Sequence, residues 1–304
     1  MRLTFLGTNA GLPSLERRAP GAVLSWNGKS VLFDCGEGTL LALRAAAIKP
    51  SSLLAVCITH LHGDHLNGLP GLIGALSLRA HKSALTIYGP VGLREYIETL
   101  RRLRVFYPDF ELELLELSAP TEGPWQHKSF SISAAAMQHR VSCYGYRFEE
   151  LRRVPGLDRQ RAAALGVPDG PLLGLLRRGH DVKLKNGVTV RARDVLEPEA
   201  APRILCYCGD TAPCDAAIAL AKGANLLVHE ATYDQTRREV AHERGHCTSL
   251  DAANVALQAG VTKLALTHFS PRYADPERLA EEARSVFPQT FAAVDGLSVE
   301  LGKD

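Results

Sequence analysis

The chain of 304 residues is 46% hydrophobic and 22% charged with a formal net charge of +2, a composition that allows a sizeable core and excludes a disordered or fibrous protein. Met1-Arg2-Leu3-Thr4-Phe5-Leu6-Gly7 is broken by glycine too soon for a signal peptide, and no apolar run approaches a membrane span, so neither secretion nor a membrane partner is expected. Seven scattered cysteines (Cys35, Cys57, Cys143, Cys206, Cys208, Cys214 and Cys247), an odd number, suit reduced thiols in the cytoplasm better than a disulfide framework.

Apolar and β-branched runs predict strands over 3–6, 22–26 and 30–33, with Asn27-Gly28 as a hairpin turn between the last two. A buried strand over 53–58 follows, then the run Thr59-His60-Leu61-His62-Gly63-Asp64-His65. A helix is expected over 66–78, with Gly68, Gly71 and Gly74 allowing close packing. A strand over 84–88, a helix over 91–103 and a strand over 130–136 complete the first half. The second half alternates strands (203–207, 226–229, 263–267, 290–294) with helices over 251–259 and 276–286. Hairpins and β-α units in both halves point to an α/β protein with a sheet-on-sheet core and helices outside.

Residues 151–198 break this rhythm. The segment holds Pro155-Gly156, Gly166-Val167-Pro168, Gly170-Pro171 and Asn186-Gly187 with few long apolar runs, and reads as a projecting arm inserted in a single domain spanning 1–304. Between positions 151 and 193 it carries ten Lys or Arg against three acids, so this stretch is +7 and the rest of the chain −5. Charge runs are usually solvated surface. An excess focused on one segment is also what a phosphate backbone would select.

The 59–65 run packs three imidazoles and one carboxylate into six positions, ligand types that Zn²⁺ prefers. Alternation puts His60 and His62 on one face, and the turn brings Asp64 and His65 to the same point. Further ligands are expected just past strand ends, where α/β sheets gather their sites. His139, Asp210 and His268 hold such places, although singly each reads equally as a turn histidine or a helix N-cap. The set divides into His60, His62 and His139 on one metal and Asp64, His65 and His268 on another, with Asp210 bridging. Nitrogen and oxygen ligands without thiolate suit Zn²⁺, with Mn²⁺ a possible substitute. Cys206-Tyr207-Cys208 with Cys214 lacks Cys-x-x-Cys pairs and reads as buried small hydrophobes.

With these residues, further motifs fall in order: Phe5-Leu6-Gly7-Thr8, Gly11-Leu12-Pro13, Asp34-Cys35-Gly36-Glu37-Gly38-Thr39, and residues 59–71 reading THLHGDHLNGLPG. Tyr144-Gly145-Tyr146, Gly209-Asp210-Thr211, His229-Glu230-Ala231-Thr232 and Thr267-His268-Phe269-Ser270-Pro271-Arg272-Tyr273 follow. Along nearly its whole length the chain resembles the ribonuclease Z family of the metallo-β-lactamase superfamily. The resemblance implies an αββα metallo-β-lactamase sandwich whose basic arm clamps tRNA. It also implies a zinc-dependent endoribonuclease removing the 3′ trailer from precursor tRNA, leaving a tRNA 3′-hydroxyl and a trailer 5′-phosphate. Two Zn²⁺ per subunit, a homodimer in which one subunit's arm serves the other's site, and no nucleotide cofactor follow from it.

Of the residues, the resemblance makes Asp64 the group that orients or deprotonates the nucleophile, and His246 with Glu230 the pair relaying a proton to the leaving oxygen. It places substrate contacts at Arg17 and Arg272 and, in the arm, at Gly170, Pro171, Arg177 and Arg178. The rival on the same fold is a zinc phosphodiesterase acting on small or other RNA substrates, for which a basic arm has nothing to hold if the substrate is small. The chain departs from the family at Cys247, where serine is usual, at Leu40, where glutamine is common, and in the 13–18 loop, which lacks the usual lysine and has Arg18 for asparagine.

Overall fold

The computed structural model describes residues 1–79, 81–151, 156–197 and 201–302. They group into two compact units, one of Met1–Trp125, Ile132–Phe148 and Ile204–Asp304, the other of Gln126–Ser131 and Glu149–Arg203.

In chain order the first part runs β1 (Arg2–Gly7), β2 (Gly21–Trp26), β3 (Lys29–Phe33), α1 (Thr39–Ala45), β4 (Leu53–Cys57), α2 (Gly63–Leu66), α3 (Leu69–Leu78), β5 (Leu85–Pro90), α4 (Leu93–Arg102) and β6 (Leu112–Leu117). Then come β7 (Thr121–Gln126), β8 (Phe130–Ala136), β9 (Tyr144–Glu150), α5 (Arg159–Ala164), α6 (Pro171–Arg177), β10 (Val182–Lys183) and β11 (Thr189–Val190). The chain continues with β12 (Ile204–Tyr207), α7 (Asp215–Ala221), β13 (Leu226–Glu230), α8 (Arg238–Glu243), α9 (Ser249–Ala259), β14 (Lys263–Thr267), α10 (Glu277–Arg284), β15 (Thr290–Ala292) and β16 (Ser298–Glu300).

One sheet has the order β16-β1-β2-β3-β4-β5-β6 and the other β15-β14-β13-β12-β9-β8-β7. Strands β3 to β6 pair in parallel, as do β12 to β15. Parallel strands are buried on both faces and so read as continuous apolar runs. Strand β3 shows how: Leu32 packs with Leu43, Ile73 and Ile97 of the helices on one side, while Phe33 stacks on Tyr207 of the other sheet at 5.3 Å. Trp26 and Phe148 meet edge to face at 5.2 Å, again joining the sheets. The second sheet buries its outer face under the alanine-rich helices α7, α9 and α10. The result is the αββα sandwich.

Asn27 and Gly28 both have positive φ, 46° and 74°, as the short hairpin between β2 and β3 requires. The helix expected over 66–78 breaks into α2 and α3 at Asn67 and Gly68. Of the three glycines expected to allow close packing there, only Gly68 does: a Cβ on it would lie 2.0 Å from the Gly36 carbonyl oxygen, whereas Gly71 has nothing within 4 Å and Gly74 meets Phe106 at an ordinary 3.9 Å. Strands β7 and β16 carry weak apolar signals because they are sheet-edge strands with no buried residue.

The second unit begins earlier and ends later than positions 151–198, and it takes in residues 126–131 as well. It has a core of its own. Ala162, Leu173, Leu176, Val182, Val190 and Val195 bury together from two short helices, the β10–β11 hairpin and the turn that follows it. Its apolar residues come in short runs such as Leu172-Leu173 and Leu175-Leu176, interrupted by glycine, proline and charge, which is why the sequence there reads as loop. Among the described residues no helix is long and apolar enough to cross a membrane.

A candidate metal centre at the strand ends

Strands β4, β12, β13 and β14 lie in the parallel parts of two packed mixed sheets, so their C-terminal ends deliver Thr59, Gly209, Glu230 and His268 to one region. Two glycines permit the approach of the loops. A Cβ at Gly36 would lie 2.2 Å from the Asp64 carbonyl oxygen, and one at Gly209, whose φ is +37°, would lie 2.7 Å from Thr59. His62 stands before α2 with extended ψ of 146°, which turns the chain so that Asp64 and His65 point back toward His60.

All seven expected ligands come together. His60, His62 and His139 offer ligand atoms within 4.8 Å of one another, as do His60, His65 and Asp210, and Asp64, His65 and His268. His60 Nε2 lies 2.8 Å from His62 Nδ1, and His65 Nε2 lies 3.2 Å from His268 Nε2. Asp210 reaches both groups, with Oδ1 3.3 Å from His268 Nε2 and Oδ2 3.8 Å from His60 Nε2. Asp64 Oδ2 sits 3.5 Å from His65 Nε2 and accepts from the Gly11 N–H at 2.9 Å.

The far nitrogen of four imidazoles is held from behind. His65 Nδ1 donates to Asp34 at 2.8 Å, and His139 Nδ1 donates to the Gly245 carbonyl at 2.8 Å. His60 Nδ1 lies 3.0 Å from the Thr59 hydroxyl and His268 Nδ1 3.0 Å from the Thr232 hydroxyl. With Nδ1 donating to a carboxylate and a carbonyl, His65 and His139 turn Nε2 toward the centre, the arrangement metal-binding histidines use. Asp34 and His268 both adopt left-handed backbone, φ 55° and 57°, a costly conformation for non-glycine residues and one that persists at functional sites.

His139 Nε2 and Asp210 Oδ1 are buried without a hydrogen-bond partner among the described residues. An unsatisfied buried polar atom costs about 1–3 kcal/mol, and a divalent cation among these donors satisfies both. The electrostatics agree. Burial, and then the neighbouring imidazoles, push His60 well down, and burial followed by His139 lowers His62, so both favour the neutral ligating form. Burial opposes the charge on Asp64, but His268 and His65 outweigh it and hold the carboxyl far below the usual range. Burial likewise opposes charge on His65, yet Asp34 and Asp210 raise it well above its ordinary value. The carboxylates thus favour positive charge at the centre.

Beside this cluster, His246 Nδ1 donates to Glu230 Oε1 at 2.7 Å, while Glu230 Oε2 accepts from the Thr232 hydroxyl at 2.6 Å. Thr248, two residues after His246, is the N-cap of α9 and forms a capping box with Asp251, so His246 itself is free of any capping role. Arg17 is half-buried and donates to the Tyr273 carbonyl at 2.7 Å. Arg272 donates to the Ser270 hydroxyl at 2.9 Å and lies 5.2 Å over the Tyr233 ring. In the second unit Arg177 and Arg178 are exposed at the end of α6, which Gly170 and Pro171 open. Sequence reasoning did not single out Asp34, Thr59 or Thr232 as site residues, although each stands within a quoted motif. A polar residue at the end of an apolar strand was the available signal.

A family model described as anti-Pycsar protein Apyc1 matches residues 1–104, a span that includes the His60–His65 turn but stops short of His139, Asp210 and His268. Ribonuclease BN of Erwinia tasmaniensis is 43% identical over 300 residues, covering 97% of this chain and 98% of that protein. The solved structure of the human tRNase Z short form is 28% identical, covers all of both chains and superposes with a TM-score of 0.72. The metallo-β-lactamase fold protein YhfI of Bacillus subtilis, 22% identical over 98% of each chain, gives 0.71 and shares the fold. The chain therefore belongs to the ribonuclease BN and ribonuclease Z family, built on the metallo-β-lactamase fold.

Proposed function

We propose that the protein is a zinc-dependent endoribonuclease that removes the 3′ trailer from precursor tRNA, leaving a 3′-hydroxyl on the tRNA and a 5′-phosphate on the trailer. The observation that carries this reading is the pair of buried atoms, His139 Nε2 and Asp210 Oδ1, that have no hydrogen-bond partner among the described residues and lie within a cluster of metal-ligating side chains. The names of the relatives supply RNA as the substrate. In this reading His60, His62 and His139 hold one Zn²⁺, Asp64, His65 and His268 hold a second, and Asp210 serves both. The ligand set also suits Mn²⁺.

Bound cations would stabilise the charge gathering on the phosphoryl oxygens and supply a nucleophile at neutral pH. Asp64, fixed by the Gly11 N–H, orients the attacking water or accepts its proton. His246 keeps its Nδ1–H on Glu230 and gives the Nε2 proton to the leaving 3′ oxygen. The Glu230 carboxylate stabilises the charged imidazole before the transfer and fixes its direction.

The +7 segment supports a polyanionic substrate. We read the chain as one metallo-β-lactamase-like domain, 1–304, with 151–198 inserted as the tRNA-binding arm, which in a homodimer serves the partner's site. Gly170, Pro171, Arg177 and Arg178 would touch RNA there, and Arg17 and Arg272 near the metal centre. The seven free cysteines suit the cytoplasm.

The test is incubation with a precursor tRNA, with and without chelator, and mapping of the 3′ end. Chelator-sensitive cleavage after the discriminator region is expected. Hydrolysis of a small phosphodiester without cleavage of the RNA would overturn the tRNA assignment.

A further inference from the structure

The Thr232 hydroxyl is the meeting point of the metal cluster and the His246–Glu230 pair. It has one proton, and the shortest contact takes that proton to Glu230 Oε2 at 2.6 Å. Its oxygen then has lone pairs left, one facing His268 Nδ1 at 3.0 Å. His246 Nδ1 lies 3.3 Å from the same oxygen but 2.7 Å from Glu230 Oε1, so its proton belongs to the carboxylate. The Thr232 N–H also donates to Glu230 Oε2, at 3.1 Å. The order of donors is therefore fixed: His268 Nδ1–H to Thr232, and Thr232 O–H to Glu230.

The other sheet repeats the arrangement. Thr59 Oγ1 donates to Asp34, at 2.9 Å from Oδ1, and faces His60 Nδ1 at 3.0 Å; His65 Nδ1 lies farther off, at 3.5 Å, with its own proton on Asp34 at 2.8 Å. Each threonine stands between a buried carboxylate and a histidine, one on each side of the cluster.

We infer that Thr232 is a positioning residue that holds His268 in its ligating tautomer, and that its hydroxyl sets the affinity of the Asp64–His65–His268 ion selectively, as Thr59 does for the His60–His62–His139 ion. This rests on the ligand reading above. A hydroxyl that must give its proton to a carboxylate can only accept from the imidazole, which leaves Nε2 bare toward the cluster. The left-handed backbone of His268 limits the directions its ring can take, so the tautomer decides whether Nε2 binds or repels a cation.

The experiment titrates metal-free protein with Zn²⁺ against a competing chelator and resolves two binding steps. Thr232→Val, which keeps the shape and removes the hydroxyl, should weaken one step about 10- to 100-fold and spare the other. Thr59→Val should weaken the opposite step, and Thr232→Ser should restore binding. The loaded Thr232→Val enzyme should lose kcat with little change in KM for RNA. Nitrogen-resolved NMR of the zinc-loaded wild type should show His268 protonated at Nδ1, a reading independent of any variant's folding. Equal loss at both steps, no loss, failure of serine to restore binding, or His268 protonated at Nε2 overturns the inference. Wild-type protein that binds no Zn²⁺ would instead overturn the ligand reading.

Discussion

His246, part-buried, and Glu230, fully buried, form an ion pair, with Nδ1 donating to Oε1 across 2.7 Å. Burial opposes both charges, but each partner outweighs it, raising His246 to about 9 and lowering Glu230 to about 2. In metal-free protein the His246 imidazole should therefore remain charged through neutral pH. Its contribution to stability is complete below its ordinary value near 6.5 and is lost as pH rises through about 9. The Glu230 contribution is complete above its ordinary value near 4.5 and is lost as pH falls through about 2. Thermal melts of chelated protein between pH 7 and 10 should show Tm falling with pH, and the fall should shrink in Glu230→Gln. An unchanged slope in that variant would remove Glu230 as the cause. Direct titration of the His246 ring by NMR gives the same answer independently.

Removing a ligand from the exposed rim of the cluster separates chemistry from folding. His62 is exposed, and its Nδ1 is directed at His60 Nε2. His62→Ala should lower cleavage of precursor tRNA by at least about 10³-fold, a loss of roughly 4 kcal/mol of transition-state stabilisation. Asp64→Ala should do the same while freeing the Gly11 N–H. RNA binding measured by gel shift should persist in both. Near-normal turnover in either variant would contradict the two-metal reading.

The second unit allows a sharper test than deletion. Cutting out the arm would strip a small core that holds Leu173, Leu176 and Val182. Arg177 and Arg178 are exposed and can be changed without touching that core. Replacing both by alanine should raise KM for precursor tRNA several-fold and leave hydrolysis of a small phosphodiester intact. The dependence of log K on log salt should become shallower by roughly 0.7–0.9 for each phosphate no longer neutralised. Equal impairment on both substrates would assign these arginines a structural role.

The legible part of the molecule was whatever concentrates signal locally. The His60–His65 turn announces itself by density, and His139, Asp210 and His268 by following apolar strands. The parallel strands β4, β13 and β14 are buried on both faces and read as unbroken apolar runs. Strand β7, TEGPWQ, is largely exposed and leaves no such trace. The second unit breaks its apolar residues into short runs between glycines, prolines and charges, so its core is assembled only in three dimensions. Thr232 and Asp34 were opaque as site residues for a related reason. Each acts through hydrogen bonds to rings 36 and 31 positions away, and no local pattern records those partners.

Asp34 ties together more groups behind the metal cluster than either threonine does, and its removal should be correspondingly broad in effect. Oδ1 accepts from the Thr59 N–H at 2.8 Å and from its hydroxyl at 2.9 Å, while Oδ2 accepts from His65 Nδ1 at 2.8 Å and Tyr207 Oη at 3.1 Å. The side chain is fully buried, and its backbone lies in the left-handed region at φ 55°. Asp34→Ala would leave these donors unpaired, at about 1–3 kcal/mol each where nothing replaces the bond. It would also free His65, and through Thr59 His60, one ligand from each group. Metal titration should then show both binding steps weakened, by roughly 10- to 100-fold, in contrast to a change at either threonine. Asp34→Asn keeps the shape and one acceptor oxygen but loses the charge that raises His65. It should retain more stability than Asp34→Ala in a denaturant melt while still weakening metal. Wild-type affinity at both steps in the asparagine variant would show that shape alone, not charge, is what Asp34 provides.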